Sequence, residues 1–200
     1  MEEIVGISTR DRILMTAAEM FSTRGYDRVT TRQIAKAIGI NSASIYHHFS
    51  SKDEILRSLY DYYSEQVREK NPDLEELLKA AETSAPHEVL AKTVFHFSDD
   101  IRGMLDHIIV IASRMITSDP ESERFIKDNI FDNITKVLKP LLHQMVELGK
   151  IKPFDEDNFF KILTHFCFSA AALNNTTFRI NASEYQSGMS YLFSMVMPMT

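Results

Sequence analysis

Apolar residues recur at helical spacing along almost the whole chain of 200 residues, and no segment alternates between apolar and polar positions as a strand does. Glycine, proline and asparagine interrupt this pattern and divide it into successive helices. The predicted helices are residues 9–23, two short helices within 30–50, and 51–70, 73–83, 87–98, 101–117, 120–149, 155–178 and 183–197. The sequence therefore predicts an all-α protein, with a kink or break at Pro140.

The two short helices are marked by capping residues. Thr30 is placed to cap the first of them, and Gln33, three positions later, can return the bond in a capping box. Gly39 supplies the left-handed backbone conformation that lets a helix stop abruptly, and Asn41 can cap the next helix. Two short helices joined by so tight a turn predict a helix-turn-helix.

The second short helix has two chemically different sides. Ile45 and Phe49 lie four residues apart on one side, while the other side is small, polar and aromatic. Small residues let a helix backbone approach the major groove, and Tyr and His can donate hydrogen bonds to phosphates or base edges. The predicted base-contacting residues are Ser42, Ala43 and Ser44. The predicted contacts to the DNA backbone are Arg10, Thr31, Arg32, Tyr46, His47 and Lys52.

Lys52 is predicted to contact the DNA backbone for an electrostatic reason. Ser51 and Glu54 predict another capping box, which opens the long helix 51–70. Lys52 lies in the first turn of this helix, where the helix dipole disfavours a cation. A DNA phosphate beside the ammonium would relieve this misfit.

An amphipathic helix at residues 9–23 precedes the motif and ends at Gly25, which completes a unit of three helices. This unit resembles the N-terminal domain of the tetracycline-repressor (TetR) family of transcriptional regulators over about residues 9–56. The resembling residues are Ala17, Phe21, Gly25, Thr31, Ile34, Ala35, Gly39, Ile45, Tyr46, Phe49, Lys52 and Leu56. The chain departs from the family pattern at Ser42 and Ala43, so the resemblance does not give the operator sequence.

The resemblance implies a domain organisation. It implies a three-helix helix-turn-helix domain at residues 1–50, joined to a helical domain at 51–200 that binds an effector and forms a homodimer. Two-fold symmetry would place two recognition helices about one DNA turn apart on a near-palindromic operator.

The last two predicted helices carry apolar stripes that one chain has difficulty burying alone. The resemblance implies that they build a four-helix dimer interface, while the alternative is a core helix pair within one chain. The predicted interface residues are Phe159, Leu163, Ala170, Tyr185, Met189, Leu192, Phe193 and Val196.

Flexible and aromatic side chains in the helical domain predict an adaptable apolar cavity for a small hydrophobic or amphipathic effector. The predicted pocket residues are Met104, His107, Ile108, Ile111, Phe131, Ile134, Phe166 and Asn174. For each polar member, a satisfied core or surface position is the alternative interpretation.

Charge and composition modify this picture. Residues 1–50 hold six Lys or Arg and five Asp or Glu, whereas the whole chain has a net charge of −6, so we expect weak and strongly salt-dependent nonspecific DNA binding. The single cysteine, Cys167, lies among apolar residues and predicts a buried thiol. No histidine spacing indicates a metal site, no cofactor is expected, and no apolar run is long enough to span a bilayer, which favours a cytoplasmic protein without membrane contact.

The sequence thus predicts a repressor that an effector releases from its operator. An activator, or a regulator that responds to a protein or lipid partner, fits the same residues. A helical enzyme is the alternative from another class, but no glycine-rich phosphate loop, nucleophile elbow, paired carboxylates or metal-ligand cluster supports it.

Overall fold

The computed structural model describes residues 8–94, 99–173 and 181–196, and within these ranges it contains helices and no β-strand. The helices are α1 (Thr9–Arg24), α2 (Thr31–Ala37), α3 (Ser42–Tyr46), α4 (Lys52–Lys70), α5 (Leu74–Thr83), α6 (Pro86–Val94), α7 (Asp99–Met115), α8 (Pro120–Ile126), α9 (Asn133–Glu147), α10 (Glu156–Ala172) and α11 (Ala182–Ser194). The prediction of an all-α protein is confirmed.

Two short elements were not predicted. A single 3-10 turn, Tyr26–Arg28, connects α1 to α2. A π-helical turn, Lys127–Asp132, separates α8 from α9, so the predicted helix at 120–149 consists of three parts. Side-chain periodicity does not distinguish a π turn from the α-helix around it, because one extra residue per turn is too small a change.

Pro140 does not break the helix, so that part of the prediction is wrong, while a kink there stays a prediction. Pro140 lies inside α9, which continues to Glu147. Proline removes one N–H donor from the helix, but Leu141 and Leu142 beside it are completely buried. Tertiary packing therefore holds the helix together across the missing hydrogen bond.

The larger hydrophobic core joins the N-terminal helices to the middle of the chain. It is built by α1, α2, α3 and α4 together with α7, α8 and the π-helical turn. Phe21 of α1 and Ile108 of α7 are both completely buried in it. The helix-turn-helix is therefore anchored on the helical body by shared apolar contacts, without a flexible linker.

The second core lies among α5, α6, α9, α10 and α11. Leu142 of α9 and Leu163 of α10 are completely buried there. Ile134, at the start of α9, packs against both cores. The first turn of α9 is thus the place where the two cores meet.

Candidate nucleic-acid interface

Hydrogen bonds from backbone amides fix α2 at both ends. Thr30 Oγ1 accepts from the Gln33 amide at 3.3 Å, and Gln33 Oε1 accepts from the Thr30 amide at 2.8 Å, which confirms the predicted capping box. At the other end Gly39 has φ +73°, and the Ile40 amide donates to the Ala35 carbonyl at 3.0 Å. This left-handed turn is the predicted stop, and it directs the chain into α3.

Local bonds and burial then orient α3. Asn41 Oδ1 accepts from the Ala43 amide at 3.0 Å, so Asn41 is the predicted N-cap. Ile45 and Phe49 are 0% and 1% exposed, whereas Ala43 is exposed. With its apolar side anchored in the core, α3 presents its opposite side to solvent.

The predicted DNA contacts on and beside α3 differ in their exposure to solvent. Tyr46 is 57% exposed, and His47 is exposed beside it. The Tyr46 hydroxyl lies 3.3 Å from Thr31 Oγ1, which ties α3 to the first residue of α2. Ser42 and Ser44, both predicted base contacts, are half-buried.

Two cations near the motif have partners inside the protein. Arg10 Nη2 donates to Ser58 Oγ at 3.3 Å, and its guanidinium lies 5.0 Å from the centre of the Phe49 ring. Arg12 Nη2 donates to the Ile38 carbonyl at 2.8 Å, at the negative end of α2. These charges stabilise the helix-turn-helix itself.

Lys52 is also held internally. Its ammonium donates to the carbonyls of Tyr26 at 2.9 Å and Val29 at 3.1 Å, and it lies 4.0 Å from the centre of the Tyr26 ring. The argument that Lys52 needs a phosphate is therefore wrong, because these groups already compensate its unfavourable place in the first turn of α4. A contact between Lys52 and DNA stays a prediction.

The second predicted capping box is shifted by one residue. Ser51 Oγ accepts from the Glu54 amide at 3.0 Å, as expected. The Glu54 carboxylate, however, accepts from the amide and the hydroxyl of Ser50, both at 2.5 Å, instead of from Ser51. These hydrogen bonds lower the pKa of Glu54 and still close the start of α4.

Sequence reasoning missed two exposed cations near α2. Arg28, Arg32 and Lys36 are all exposed, and in the described part of the chain none of them forms a hydrogen bond or ion pair. Only Arg32 was predicted. The signal in the sequence is the spacing of four residues, which places Arg32 and Lys36 on one side of α2.

The side chains predicted for the dimer interface pack within one chain instead. Those buried in the second core are Phe159, Leu163, Met189, Leu192, Phe193 and Val196. Ala170 and Tyr185 are half-buried. The alternative of a core helix pair within one chain therefore describes the six buried side chains, whereas a dimer contact through Ala170 and Tyr185 stays a prediction.

The same two helices carry a different set of apolar side chains on their solvent side. Ile162 is 52%, Leu173 39%, Tyr191 66% and Met195 53% exposed. We call these four residues the outer face of α10 and α11. Apolar periodicity predicted these helices but did not single out these exposed apolar residues, which lie among exposed polar ones such as Lys161 and Ser187.

The predicted pocket residues divide between the two cores. Ile108 and Ile111 are buried in the first core, and Met104, Phe131 and Ile134 are half-buried against it. Asn174 lies outside the described residues.

Two aromatic side chains of α10 lie beside Phe131. The Phe131 ring lies 5.3 Å from the His165 ring and 6.0 Å from the Phe168 ring, measured between centroids. Side chains from α7, the π-helical turn, α9 and α10 thus lie at the partly exposed edge of the first core, and we call these four apolar residues and one histidine the π-turn cluster: Met104, Phe131, Ile134, His165 and Phe168.

Two predicted pocket residues lie elsewhere. Phe166 stacks on Tyr185 at 5.5 Å, and a methyl group placed on Gly188 would lie 2.5 Å from its ring. Phe166 therefore belongs to the contact between α10 and α11. His107 lies against α1, with Nδ1 2.8 Å from Ser22 Oγ.

The described residues contain no group of three His, Cys, Asp or Glu side chains that could hold a metal ion. Within the same ranges, no helix is long and apolar enough to cross a membrane. Burial raises the pKa of Cys167, whose Sγ lies 3.5 Å from the Tyr185 hydroxyl. A raised pKa keeps the thiol protonated and poorly nucleophilic.

Residues 13–59 match the family model described as "Bacterial regulatory proteins, tetR family". Two curated relatives are similar over longer segments. YerO of Bacillus subtilis, an uncharacterized HTH-type transcriptional regulator, is 31% identical over 114 residues, which cover 57% of this chain and 38% of YerO. The nucleoid occlusion factor SlmA of Aliivibrio fischeri is 29% identical over 150 residues, which cover 74% of both chains. The chain thus spans little more than a third of the first of these relatives.

Solved structures match almost the whole chain. The ketosteroid transcriptional regulator KstR2 of Mycobacterium tuberculosis superposes with a TM-score of 0.66 at 23% identity and covers 98% of this chain and 100% of its own. FadR of Thermus thermophilus, a TetR-family repressor in complex with lauroyl-CoA, gives 0.52 at 24% identity, covering 96% and 97%. These likenesses establish that the fold continues beyond the matched N-terminal segment.

Proposed function

Since this chain is a DNA-binding transcriptional regulator of the TetR family, we propose that it is a cytoplasmic repressor that binds a near-palindromic operator as a homodimer and is released by a small hydrophobic or amphipathic effector. The family consists of regulators and not of enzymes. The observation that carries the proposal is the combination of a capped, core-anchored α3 with exposed Tyr46 and His47.

Contacts on α2 and α3 support DNA binding by two kinds of group. Arg28, Arg32 and Lys36 are exposed cations that suit phosphates, and their contribution is independent of sequence. Ala43 and Tyr46 lie on the side of α3 that points away from the core, where a methyl group and a hydroxyl can contact base edges or phosphates. The hydrogen bond between the hydroxyls of Tyr46 and Thr31 orients the Tyr46 ring in the absence of DNA.

The outer face of α10 and α11 supports homodimerisation. Large apolar side chains that are 39–66% exposed on two neighbouring helices mark an interaction site more often than a solvated surface. A two-fold axis through this face would pair it with the same face of a second copy, as in isologous dimers. The interface we propose therefore uses Ile162, Leu173, Tyr191 and Met195.

The π-turn cluster supports a hydrophobic effector. π-Helical turns occur frequently at functional sites, and the aromatic and thioether side chains around this one adapt readily to a ligand. FadR, which has the same fold, binds lauroyl-CoA, and KstR2 is described as a ketosteroid regulator. We propose an effector with a long-chain or polycyclic hydrocarbon body.

Fluorescence anisotropy of the purified protein with tiled fragments of its own upstream DNA, at two salt concentrations, tests the proposal. We expect tight binding to one fragment that is lost in Tyr46→Ala. Met15→Ala is the control, because Met15 is 47% exposed on α1 but lies outside α2 and α3. Weak, salt-sensitive binding to every fragment alike would contradict a specific operator near the gene.

The match to SlmA supports a second candidate, because it extends far beyond the DNA-binding domain. In that case the chain would act as a DNA-bound occlusion factor or respond to a protein partner, without a small effector. A panel of acyl thioesters and steroids distinguishes the two. A ligand that raises the melting temperature and weakens operator binding supports the repressor, whereas a panel without effect supports the second candidate.

A further inference from the structure

A buried polar residue lies where the DNA-binding domain meets the helical body. Ser22, near the end of α1, is completely buried although its side chain is polar. Its hydroxyl donates to the Glu19 carbonyl at 3.0 Å and lies 2.8 Å from His107 Nδ1 on α7. The tautomer of His107 decides which of the two groups donates across this contact.

The backbone of the same residue is held from the same helix. The Gly25 amide donates to the Phe21 carbonyl, and the next carbonyl, that of Ser22, accepts from Arg114 Nη1. Arg114 therefore caps the negative end of α1 from α7. His107 and Arg114 are seven residues apart and lie on one side of α7, so two polar side chains from α7 meet at Ser22.

The position of this contact connects it to both proposed sites. α1 packs on α2 and on α7, and α7 also packs on α10, which carries part of the π-turn cluster. Ile111 lies between His107 and Arg114 on the same side of α7 and is buried in the first core. A displacement of α7 thus reaches α1 through this surface.

We propose that Ser22, His107 and Arg114 form a polar clamp that sets the orientation of the DNA-binding domain on α7 and transmits effector binding to it. This inference rests on the proposed function. Hydrogen bonds weaken steeply with distance and angle, whereas apolar contacts tolerate small shifts. The clamp therefore restricts the orientation of α1 on α7 more closely than the apolar contacts alone do. His107 and Arg114 are positioning residues and do not contact DNA.

Distances between the two regions test the clamp directly. We would place spin labels at Ala37→Cys on α2 and Glu147→Cys on α9, both exposed, in a Cys167→Ala background. Dilution with unlabelled protein restricts the signal to one chain, and electron–electron resonance gives the distance distribution. We expect Arg114→Met to broaden or shift the distribution and Arg114→Lys, which retains a cation, to restore it.

Lys150 provides a matched control. It donates to the carbonyls of Glu82 and Ser84 at 2.9 Å each, so it caps the end of α5 as Arg114 caps α1, but away from the DNA-binding domain. Lys150→Met should leave the distance distribution narrow. If it broadens the distribution as much as Arg114→Met does, the effect is a general loss of stability and the clamp is refuted.

Operator affinity supplies the second measurement. Loss of a charge-assisted hydrogen bond predicts about tenfold weaker binding for Arg114→Met. Ser22→Ala removes the hydroxyl contact with His107 but keeps the carbonyl that Arg114 caps, so it should show a smaller change in the same direction. Both melting temperatures should stay close to that of Lys150→Met. Unchanged distances in both variants would overturn the inference. The distance measurement requires neither DNA nor effector, so it decides on the clamp even if the unmutated protein binds no operator.

Discussion

The pair α2–α3 and the pair α10–α11 differ in how clearly their two sides can be told apart. In α3 the buried side carries Ile45, while the exposed side carries Tyr46. In α10 the completely buried Leu163 is the direct neighbour of Ile162, which is 52% exposed. Apolar character alone assigns the inner side only where the outer side is polar. Where large apolar residues also lie exposed among polar ones, as Ile162 and Tyr191 do, apolar character alone does not separate the two sides.

The two pairs therefore depend on different forces. Cations and hydrogen-bonding groups dominate the exposed surface of α2 and α3, so their binding should weaken as salt rises. The outer face of α10 and α11 is apolar, so its association should be nearly independent of salt. Substitutions on each pair test this difference.

Tyr191→Glu should have the largest effect, because it places a charge on the outer face of α10 and α11. We expect a monomer by analytical ultracentrifugation and an operator affinity at least about 100-fold lower, because the second half-site contact is lost. Leu148→Glu is the control, since Leu148 is 45% exposed at the end of α9 and belongs to neither α10 nor α11. A dimeric Tyr191→Glu protein with unchanged affinity would contradict the proposed interface.

Removing single cations should separate binding charges from structural ones. Arg32→Ala and Lys36→Ala should each reduce the salt dependence of operator binding by about one counterion. Arg12→Ala removes the same charge from a cap on Ile38, so it should cost about 1 kcal/mol of stability and leave the salt slope unchanged. Equal slopes for all three variants, measured by anisotropy titrations at several salt concentrations, would show that the distinction is false.

Gly39→Ala tests the turn on which α3 depends. A Cβ at Gly39 meets no atom within 4 Å, but the backbone there has a φ of +73°. An alanine held at this φ should lower the free energy of unfolding by about 1 kcal/mol and the melting temperature by roughly 2–4 °C. Gly103→Ala in α7 also enters open space, and its φ is not in the left-handed region. We expect Gly103→Ala to stabilise the protein by about 0.5–1 kcal/mol. Calorimetry should show opposite signs, and a stabilising Gly39→Ala would contradict the assigned turn.

Acidification should produce the smallest effect. Burial lowers the pKa of His107, and Glu19 opposes this shift. In the unfolded chain the imidazole of His107 has a pKa of about 6.5 and binds a proton below that pH. In the folded protein the imidazole stays neutral down to its lowered pKa. Stability therefore falls as the pH decreases from the first pKa to the second. The melting temperature of His107→Gln should therefore decrease less than that of the unmutated protein between pH 7.5 and 5.5. His87→Gln, at an exposed position, should decrease as much as the unmutated protein does.

Sequence reasoning succeeded where the determining contacts are local. Thr30, Gly39 and Asn41 act on amides or turns within three residues, so a short window contains the whole interaction. Lys52 shows the opposite case. Its carbonyl partners, Tyr26 and Val29, lie 26 and 23 residues away, and only the folded structure brings them to the ammonium.

Two predicted pocket residues lie away from the others for a related reason. Spacing along α10 gives the angle of Phe166 around the helix, but it does not say which neighbouring helix lies at that angle. The close approach of Gly188 to the Phe166 ring shows that α11 is the neighbour on that side. His107 was selected as a polar residue in an apolar stretch, and its actual contact is with Ser22, 85 residues earlier.

The internal bonds of Arg10 and Arg12 have a consequence for how the protein moves through a nucleoid. Four of the six cations in residues 1–50 remain for contact with phosphates, on a chain with a net charge of −6. Random genomic DNA should therefore retain the protein only briefly, so that most copies diffuse freely between encounters. A regulator of this kind would locate its operator mainly by repeated collisions from solution, with little sliding, and few copies would be sequestered elsewhere on the chromosome.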